Sequence, residues 1–218
     1  MKNRLATIVL ALGVAFCLLY IFQAPSMTIH LPGNQQGYQP EQPIQFSHRL
    51  HAGDLQLGCL YCHFGAERSR NAGIPAAGTC MNCHKFITAP LGNIRAEAEM
   101  AQKENRKEQQ IVSGEIQKIY DAVGFVLSQP SEPREPREPI AWNKVYNLPD
   151  YVRFDHRPHV AAGVTCQSCH GPVETMERVS QVPDLSMGWC VNCHRDATQN
   201  GIAGKPVKAM LDCAACHY

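Results

Sequence analysis

The chain has 218 residues, of which 44% are hydrophobic and 18% are charged, and its formal net charge is +1 at pH 7. This near-neutral balance lacks the strongly basic surface of nucleic-acid-binding proteins, so no nucleic-acid partner is expected. The 15 prolines and 16 glycines predict a chain with many loops and turns and few strands.

An uncharged run from Leu5 to Phe22 lies near the N-terminus and is preceded by Lys2 and Arg4. Its length is close to the minimum for a helix that crosses a membrane, and the flanking positive charges place the N-terminus in the cytoplasm. A cleaved signal peptide is the alternative, but the residues after Phe22 form a poor cleavage site. We therefore expect residues 1–25 to be an uncleaved membrane anchor.

Five copies of the pentapeptide Cys-x-x-Cys-His use ten of the 11 cysteines. This pattern is typical of c-type haem attachment, because two thiols three residues apart can bond to the two vinyl groups of one porphyrin while the adjacent imidazole reaches the iron. A single Cys-x-x-Cys could instead belong to a zinc site or a redox dithiol, but such sites do not require the histidine every time. The sequence therefore predicts five covalently attached c-type haems.

The predicted residues of these sites follow from the motifs. The attachment cysteines are Cys59, Cys62, Cys80, Cys83, Cys166, Cys169, Cys190, Cys193, Cys213 and Cys216. The proximal iron ligands are His63, His84, His170, His194 and His217. Because bacteria attach c-type haem outside the cytoplasmic membrane, we expect a single-pass protein of that membrane with its haem-binding part on the periplasmic side.

The pattern Phe-x-His-x-x-His occurs twice, once before the first haem motif and once before the third. Histidines three residues apart on a helical turn project from the same side, so each pair can bind two neighbouring haems. By analogy with small multihaem cytochromes, we expect His48 to bind the first haem and His156 the third. The sequence does not assign the neighbouring haems to which His51 and His159 bind.

One haem is served by neither histidine pair. His30, which lies beyond the apolar run, is one candidate for its sixth ligand. Methionine is the rival ligand and would raise the potential of that haem, and Met187 and Met27 are the candidates. Where every iron has two protein ligands none can bind a substrate, so we expect electron relay and no catalytic site in this chain.

The motifs and the composition divide the chain into four segments. These are the anchor (1–25), a two-haem block (26–90), a helical spacer with a proline-rich linker (91–139) and a three-haem block (140–218). The spacer predicts one long or two shorter helices, and a proline at every third position favours an extended linker. The expected fold is mostly α and irregular, a haem-cored multihaem cytochrome c with few strands plus one N-terminal transmembrane helix.

The order of the histidine pairs and haem motifs resembles that of the low-potential class III multihaem cytochromes. The two-plus-three layout, the N-terminal anchor and the segments 142–154 and 185–190 together resemble the ActA family, the pentahaem cytochrome c subunits of bacterial alternative complex III. The resemblance covers most of residues 44–64 and 140–218. It implies a subunit that relays electrons in a quinol-oxidising respiratory complex.

The same resemblance implies the partners. They would be an iron–sulfur protein subunit, polytopic membrane subunits and a monohaem cytochrome c of the same complex, with a terminal oxidase as a further acceptor. The alternative is a self-sufficient, membrane-anchored quinol dehydrogenase that feeds a periplasmic reductase. In that case one haem near the anchor would be five-coordinate or weakly ligated, and His30 would be free.

Overall fold

The computed structural model of the chain describes residues 2–23, 34–131, 135 and 138–218. This described part contains ten α-helices, one π-helical segment and one 3₁₀ turn. It has no strand, only two isolated β-bridges. The expectation of a mostly helical and irregular fold is therefore confirmed. The chain divides into two compact units, Met1–Pro32 and Gly33–Tyr218.

The first unit contains helix α1 (Lys2–Gln23), which includes the uncharged run. Several of its apolar side chains, among them Leu10, Leu12 and Phe16, are exposed. Within the residues that the structure describes, no helix is both long enough and apolar enough to span a bilayer. The membrane anchor expected from the sequence stays a prediction.

The second unit carries all five haem motifs on short helices joined by loops. In chain order its elements are the π-helical segment Arg49–Asp54, α2 (Cys59–Cys62), α3 (Gly65–Arg68), α4 (Ala77–His84), α5 (Leu91–Lys103), α6 (Gly114–Val123), α7 (His156–Ala161), α8 (Gln167–His170), the 3₁₀ turn Val173–Thr175, α9 (Met187–Asn200) and α10 (Cys213–Cys216). Eight apolar side chains are buried among the described residues: four are alanines, three are isoleucines, and Tyr120 is the largest. The polypeptide by itself therefore forms only a small apolar core.

The spacer between the two haem blocks folds into the helices α5 and α6. Helix α6 begins after Ser113, whose hydroxyl accepts a hydrogen bond from the backbone N–H of Ile116. Its face formed by Ile116, Ile119 and Tyr120 is buried, and the helix packs against α4, which carries the second motif. The hydroxyl of Tyr120 donates to the carbonyl of His84 at 2.6 Å. The spacer thus supports the second motif directly.

The two haem blocks contact each other reciprocally. The π-helical segment after His48 packs against the 3₁₀ turn that follows the third motif, and α7 packs against α3, which follows the first motif. The N–H of Arg49 donates to the carbonyl of Met176 at 2.9 Å, and the N–H of His156 donates to the carbonyl of Arg70 at 3.2 Å. Each histidine pair is therefore held by a loop of the other block.

Gly53 tests this reciprocal contact. A Cβ atom at Gly53 would overlap the carbonyl oxygen of Glu174 in the 3₁₀ turn. We expect Gly53→Ala to destabilise the haem-loaded protein by about 1–3 kcal/mol, because the two backbones would have to move apart. The measurement is the melting temperature, followed by far-UV circular dichroism.

Gly92 provides the matched control. It lies in α5, where an added Cβ would meet no atom within 4 Å. Alanine is the better helix former, so Gly92→Ala should leave the stability unchanged or raise it by about 0.5–1 kcal/mol. Equal melting temperatures for the two variants would contradict a tight contact at Gly53.

Candidate haem sites

All five Cys-x-x-Cys-His motifs lie on or overlap a helix, namely α2, α4, α8, α9 and α10. A helix places positions i, i+3 and i+4 on the same face, so the two thiols and the imidazole share one side in the second, third and fourth motifs. In the first and fifth motifs the histidine follows the helix directly, with a non-helical backbone conformation. Side-chain caps fix where two of these helices begin: Ser186 accepts from the N–H of Trp189, and Asp212 accepts from that of Ala214.

The cysteines are available for bonding to a cofactor. None of them is paired in a disulfide. Among the described residues no group of three or more His, Cys, Asp or Glu side chains converges on a single metal ion. The arrangement therefore does not offer the four-ligand set of a structural zinc site.

The first histidine of each pair faces the motif that comes next in the chain. The ring centroids of His48 and His63 lie 6.4 Å apart with an interplanar angle of 8°. Those of His156 and His170 also lie 6.4 Å apart, with an angle of 7°. Two imidazoles that bind one metal ion from opposite sides, through bonds of about 2 Å, have centroids about 6 Å apart. Both spacings fit one iron between the rings.

The second histidine of each pair faces the motif after that one. The ring centroids of His51 and His84 lie 6.2 Å apart at an angle of 56°, and those of His159 and His194 lie 5.9 Å apart at 41°. These separations again fit one metal ion, but the rings are tilted. The structure thereby gives partners to His51 and His159, which the sequence left open.

Backbone carbonyls orient six of these eight rings. In each of the six, Nδ1 lies 2.7–2.9 Å from a carbonyl oxygen: His51 (Ser47), His63 (Gly73), His84 (Ile87), His156 (Arg70), His159 (Asp155) and His194 (Met210). A ring that donates its Nδ1 proton to a carbonyl has Nε2 free to bind a metal. Ring spacing therefore fits iron at four sites, and backbone carbonyls orient both rings at two of these sites and one ring at each of the other two.

The remaining two rings, His48 and His170, are set in more apolar surroundings. Nδ1 of His48 is buried and has no hydrogen-bond partner among the described residues. The ring of Tyr146 packs edge-on against His170, with centroids 4.4 Å apart, and its hydroxyl lies 3.0 Å from the carbonyl oxygen of His170. Burial, and to a lesser degree the neighbouring histidines, lowers the pKa of both rings to about 4. Both imidazoles are therefore neutral at pH 7, which is the form that binds metal.

A phenylalanine positions both rings of each histidine pair. Phe46 stacks on His51, with ring centroids 4.3 Å apart, and meets His48 edge-on at 4.9 Å. Phe154 contacts the two histidines of the second pair in nearly the same way. In the sequence these phenylalanines were visible only as part of the repeat.

The residue before each histidine pair is a helix cap. The hydroxyl of Ser47 accepts from the N–H of Leu50 at 3.0 Å, and the carboxylate of Asp155 accepts from the N–H of Arg157 at 2.9 Å. Serine and aspartate are preferred at this position because their side chains satisfy an otherwise unpaired N–H. This capping signal, which the sequence analysis missed, places the start of both histidine-bearing turns.

The fifth motif is held differently from the other four. The ring of His217 lies beside that of Tyr151, with centroids 5.9 Å apart and an angle of 25°. The carbonyl of Cys216 accepts from the N–H of Arg153 at 2.7 Å, so this motif packs against the segment that leads into the second histidine pair. Among the described residues, Tyr151 is the aromatic neighbour of His217.

The sixth ligand of the fifth site stays open. Two of its candidates, His30 and Met27, lie outside the described residues. The third, Met187, is the first residue of α9 and is exposed.

Comparison with known proteins agrees with the motifs. A family model described as "Cytochrome c7 and related cytochrome c" matches residues 152–218, which carry the last three motifs. The chain is a multihaem cytochrome c. The cytochrome is also similar to the protein named "Menaquinone reductase, multiheme cytochrome c subunit" of Nitratidesulfovibrio vulgaris (strain Hildenborough), with 26% identity over 190 residues, or 82% of this chain and 69% of that protein. The cytochrome therefore carries c-type haems and transfers electrons.

Removal of one paired ring tests the ligand geometry. We expect His48→Ala to leave the first haem attached through Cys59 and Cys62 but to open one axial position opposite His63, because no other ring lies there. One haem should then become high-spin and bind carbon monoxide when reduced. The measurement is EPR together with the carbon monoxide difference spectrum.

The control for this variant is His48→Met, which supplies a different axial ligand. It should keep every haem low-spin and should not bind carbon monoxide. If His48→Ala keeps the wild-type number of low-spin haems, the pairing of His48 with His63 is wrong.

Proposed function

We propose that this cytochrome is the pentahaem electron-relay subunit of a membrane-bound quinone oxidoreductase complex. The observation that carries the proposal is the pairing of histidine rings at four sites, with centroids 5.9–6.4 Å apart. The two facing rings of each site would hold one iron from opposite sides, which would leave no position open for a substrate. Each haem supplies a one-electron couple when bound, and the side chains hold, orient and tune it.

Contacts between neighbouring motifs support a continuous relay. The first and second motifs share one histidine pair, and the side-chain N–H of Asn82 donates to the hydroxyl of Tyr61 between them at 2.9 Å. The reciprocal loops join the first motif to the third. The third and fourth motifs share the other histidine pair. Nδ1 of His194, in the fourth motif, lies 2.7 Å from the carbonyl oxygen of Met210, which comes just before the fifth motif. The motifs are therefore arranged in the order second, first, third, fourth and fifth.

We propose that the complex oxidises quinol. The support is the resemblance in layout and in residues 142–154 and 185–190 to the pentahaem subunits of alternative complex III. In this role, polytopic and iron–sulfur subunits deliver electrons from quinol. The relay then passes them to a monohaem cytochrome c or to a terminal oxidase.

A second direction of electron flow is favoured by the similar protein of N. vulgaris, whose name is that of a menaquinone reductase subunit. In a complex of that kind the relay would receive electrons from a soluble donor and deliver them to menaquinone in a partner subunit. The paired histidines serve either direction equally well, because a low-spin haem with two protein ligands both accepts and donates one electron.

We also propose that α1 anchors the cytochrome in the cytoplasmic membrane, with the haem-binding unit on the periplasmic side. This proposal rests on the uncharged run Leu5–Phe22 and the charges of Lys2 and Arg4 that precede it. Its test is extraction of native membranes with alkaline carbonate. An anchored chain stays with the membrane, and recovery of the full-length chain in the soluble fraction would contradict the anchor.

The function is tested on the complex purified from its native membrane. We expect five low-spin haems per chain, iron–sulfur and polytopic subunits in the same particle, and rapid reduction of the haems by added menaquinol. The isolated chain, as the control, should not react with menaquinol. If instead haems reduced by a soluble donor are oxidised by menaquinone, and menaquinol does not reduce them, the second direction is correct.

Quinol oxidation by the isolated chain at a high-spin haem would contradict the relay. That result would support the self-sufficient quinol dehydrogenase.

We propose His30 as the sixth ligand of the fifth site. The cytochrome has ten histidines, of which eight face each other in pairs and His217 belongs to the fifth motif, so His30 remains. We expect His30→Ala to convert one haem to the high-spin form, and Met187→Leu to leave all haems low-spin. EPR of both variants distinguishes the two candidate ligands. A high-spin haem in Met187→Leu, with all haems low-spin in His30→Ala, would assign the ligand to Met187.

A further inference from the structure

We infer that the four paired-histidine sites form two classes of reduction potential, in which the first and third haems are reduced at higher potential than the second and fourth. The inference rests on the haem ligation proposed above. It concerns the number of hydrogen bonds from the ligand rings to backbone carbonyls, which differs between the two classes by one bond in both blocks.

In the second and fourth sites, both axial rings donate a hydrogen bond to a backbone carbonyl. The Nδ1 atoms of His51 and His84 lie 2.9 Å from the carbonyl oxygens of Ser47 and Ile87. In the fourth site, Nδ1 of His159 and of His194 also lies within 2.8 Å of a carbonyl oxygen.

In the first and third sites, among the described residues, only one of the two facing rings donates a hydrogen bond to a backbone carbonyl. His63 donates to the carbonyl of Gly73 at 2.7 Å, and His156 donates to that of Arg70 at 2.9 Å. Opposite them, Nδ1 of His48 is buried without a partner among the described residues. Among the described residues no carbonyl accepts a hydrogen bond from Nδ1 of His170, and the ring of Tyr146 packs edge-on against this imidazole.

The difference in hydrogen bonding has a definite electronic direction. A carbonyl that accepts the Nδ1 proton makes the imidazole a stronger electron donor to the metal. Stronger donation stabilises the oxidised iron, which carries one more positive charge, and therefore lowers the reduction potential of the haem. Two such bonds lower it more than one. Burial of the ring that lacks a carbonyl acceptor also disfavours the additional charge, so both effects raise the potentials of the first and third haems.

The angle between the two ring planes gives each class of site its own kind of EPR signal. The ring planes are nearly parallel in the first and third sites, at 8° and 7°, but tilted in the second and fourth, at 56° and 41°. When the two imidazole planes are parallel, both interact with the same one of the two iron d orbitals that have π symmetry. The energies of these two orbitals then differ, which gives a rhombic low-spin EPR signal. Tilted planes leave the two orbitals closer in energy, which moves the largest g value upward.

The experiment is EPR-monitored potentiometry on the full-length, haem-loaded protein, reduced stepwise with dithionite. Each ferric haem takes up one electron and loses its EPR signal. We expect the two rhombic signals to disappear at higher potential than the two signals with the larger g values. The inference is overturned if the order is reversed or if the two kinds of signal disappear together.

Four matched variants assign the signals. His51→Met and His159→Met should each remove one signal of the large-g kind, whereas His48→Met and His156→Met should each remove one rhombic signal. The signal of the fifth haem is the one that all four variants retain. The wild-type order of potentials needs no substitution, so the inference stays testable if a variant fails to fold.

These variants also separate the inference from the proposed ligation. If His51→Met and His159→Met change none of the four signals, the ligand pairing itself is wrong. If each variant removes its expected signal but the large-g haems have the higher potentials, the pairing is correct and the inferred tuning is wrong.

Discussion

The arrangement of this cytochrome depends on one local geometry, two histidines three residues apart on a single helical turn. Because both rings leave the turn on the same side, one turn reaches two motifs at once: His48 and His51 face His63 and His84. The distance between neighbouring sites is then set by covalent structure and not by loose packing of loops. This matters in a unit whose described residues bury only eight apolar side chains, since the paired rings must define the interior in place of an ordinary core.

Much of the candidate site could be predicted from the sequence, because the chemistry of haem attachment needs fixed spacing along the chain. The motifs, the histidine pairs and the mostly helical, loop-rich fold follow from such local patterns. The partners of His51 and His159 could not be predicted, because they depend on where the chain returns after a loop. The backbone carbonyls of Arg70 and Met176 that accept hydrogen bonds from the opposite block also left no signal, since every residue possesses such a group. Ser47 and Asp155 are the exception, because a capping signal was present and was missed.

The two blocks are alike in motif order, in the phenylalanine beside each histidine pair and in the angles between their rings. Recurrence of the same angles in both blocks, near 7–8° at one site and above 40° at the next, makes them a property of the repeat. The blocks differ in their C-terminal neighbours. The first is succeeded by α5 and α6, with Tyr120 bonded to the second motif, and the second is succeeded by the fifth motif. The two ends of the row of motifs are therefore built from unlike elements.

The reciprocal loops have a consequence for biogenesis. Each of the four ring pairs is formed within one block, so the rings of the first block can meet before the second block has been synthesised. The bonds of Arg49 to Met176 and of His156 to Arg70 can close only when both blocks are present. Formation of each ring pair is thus local, whereas closure of the unit requires both blocks. A chain truncated before the second block would keep its first two ligand pairs but would lose the loop that packs beside His48, leaving that ring open to water.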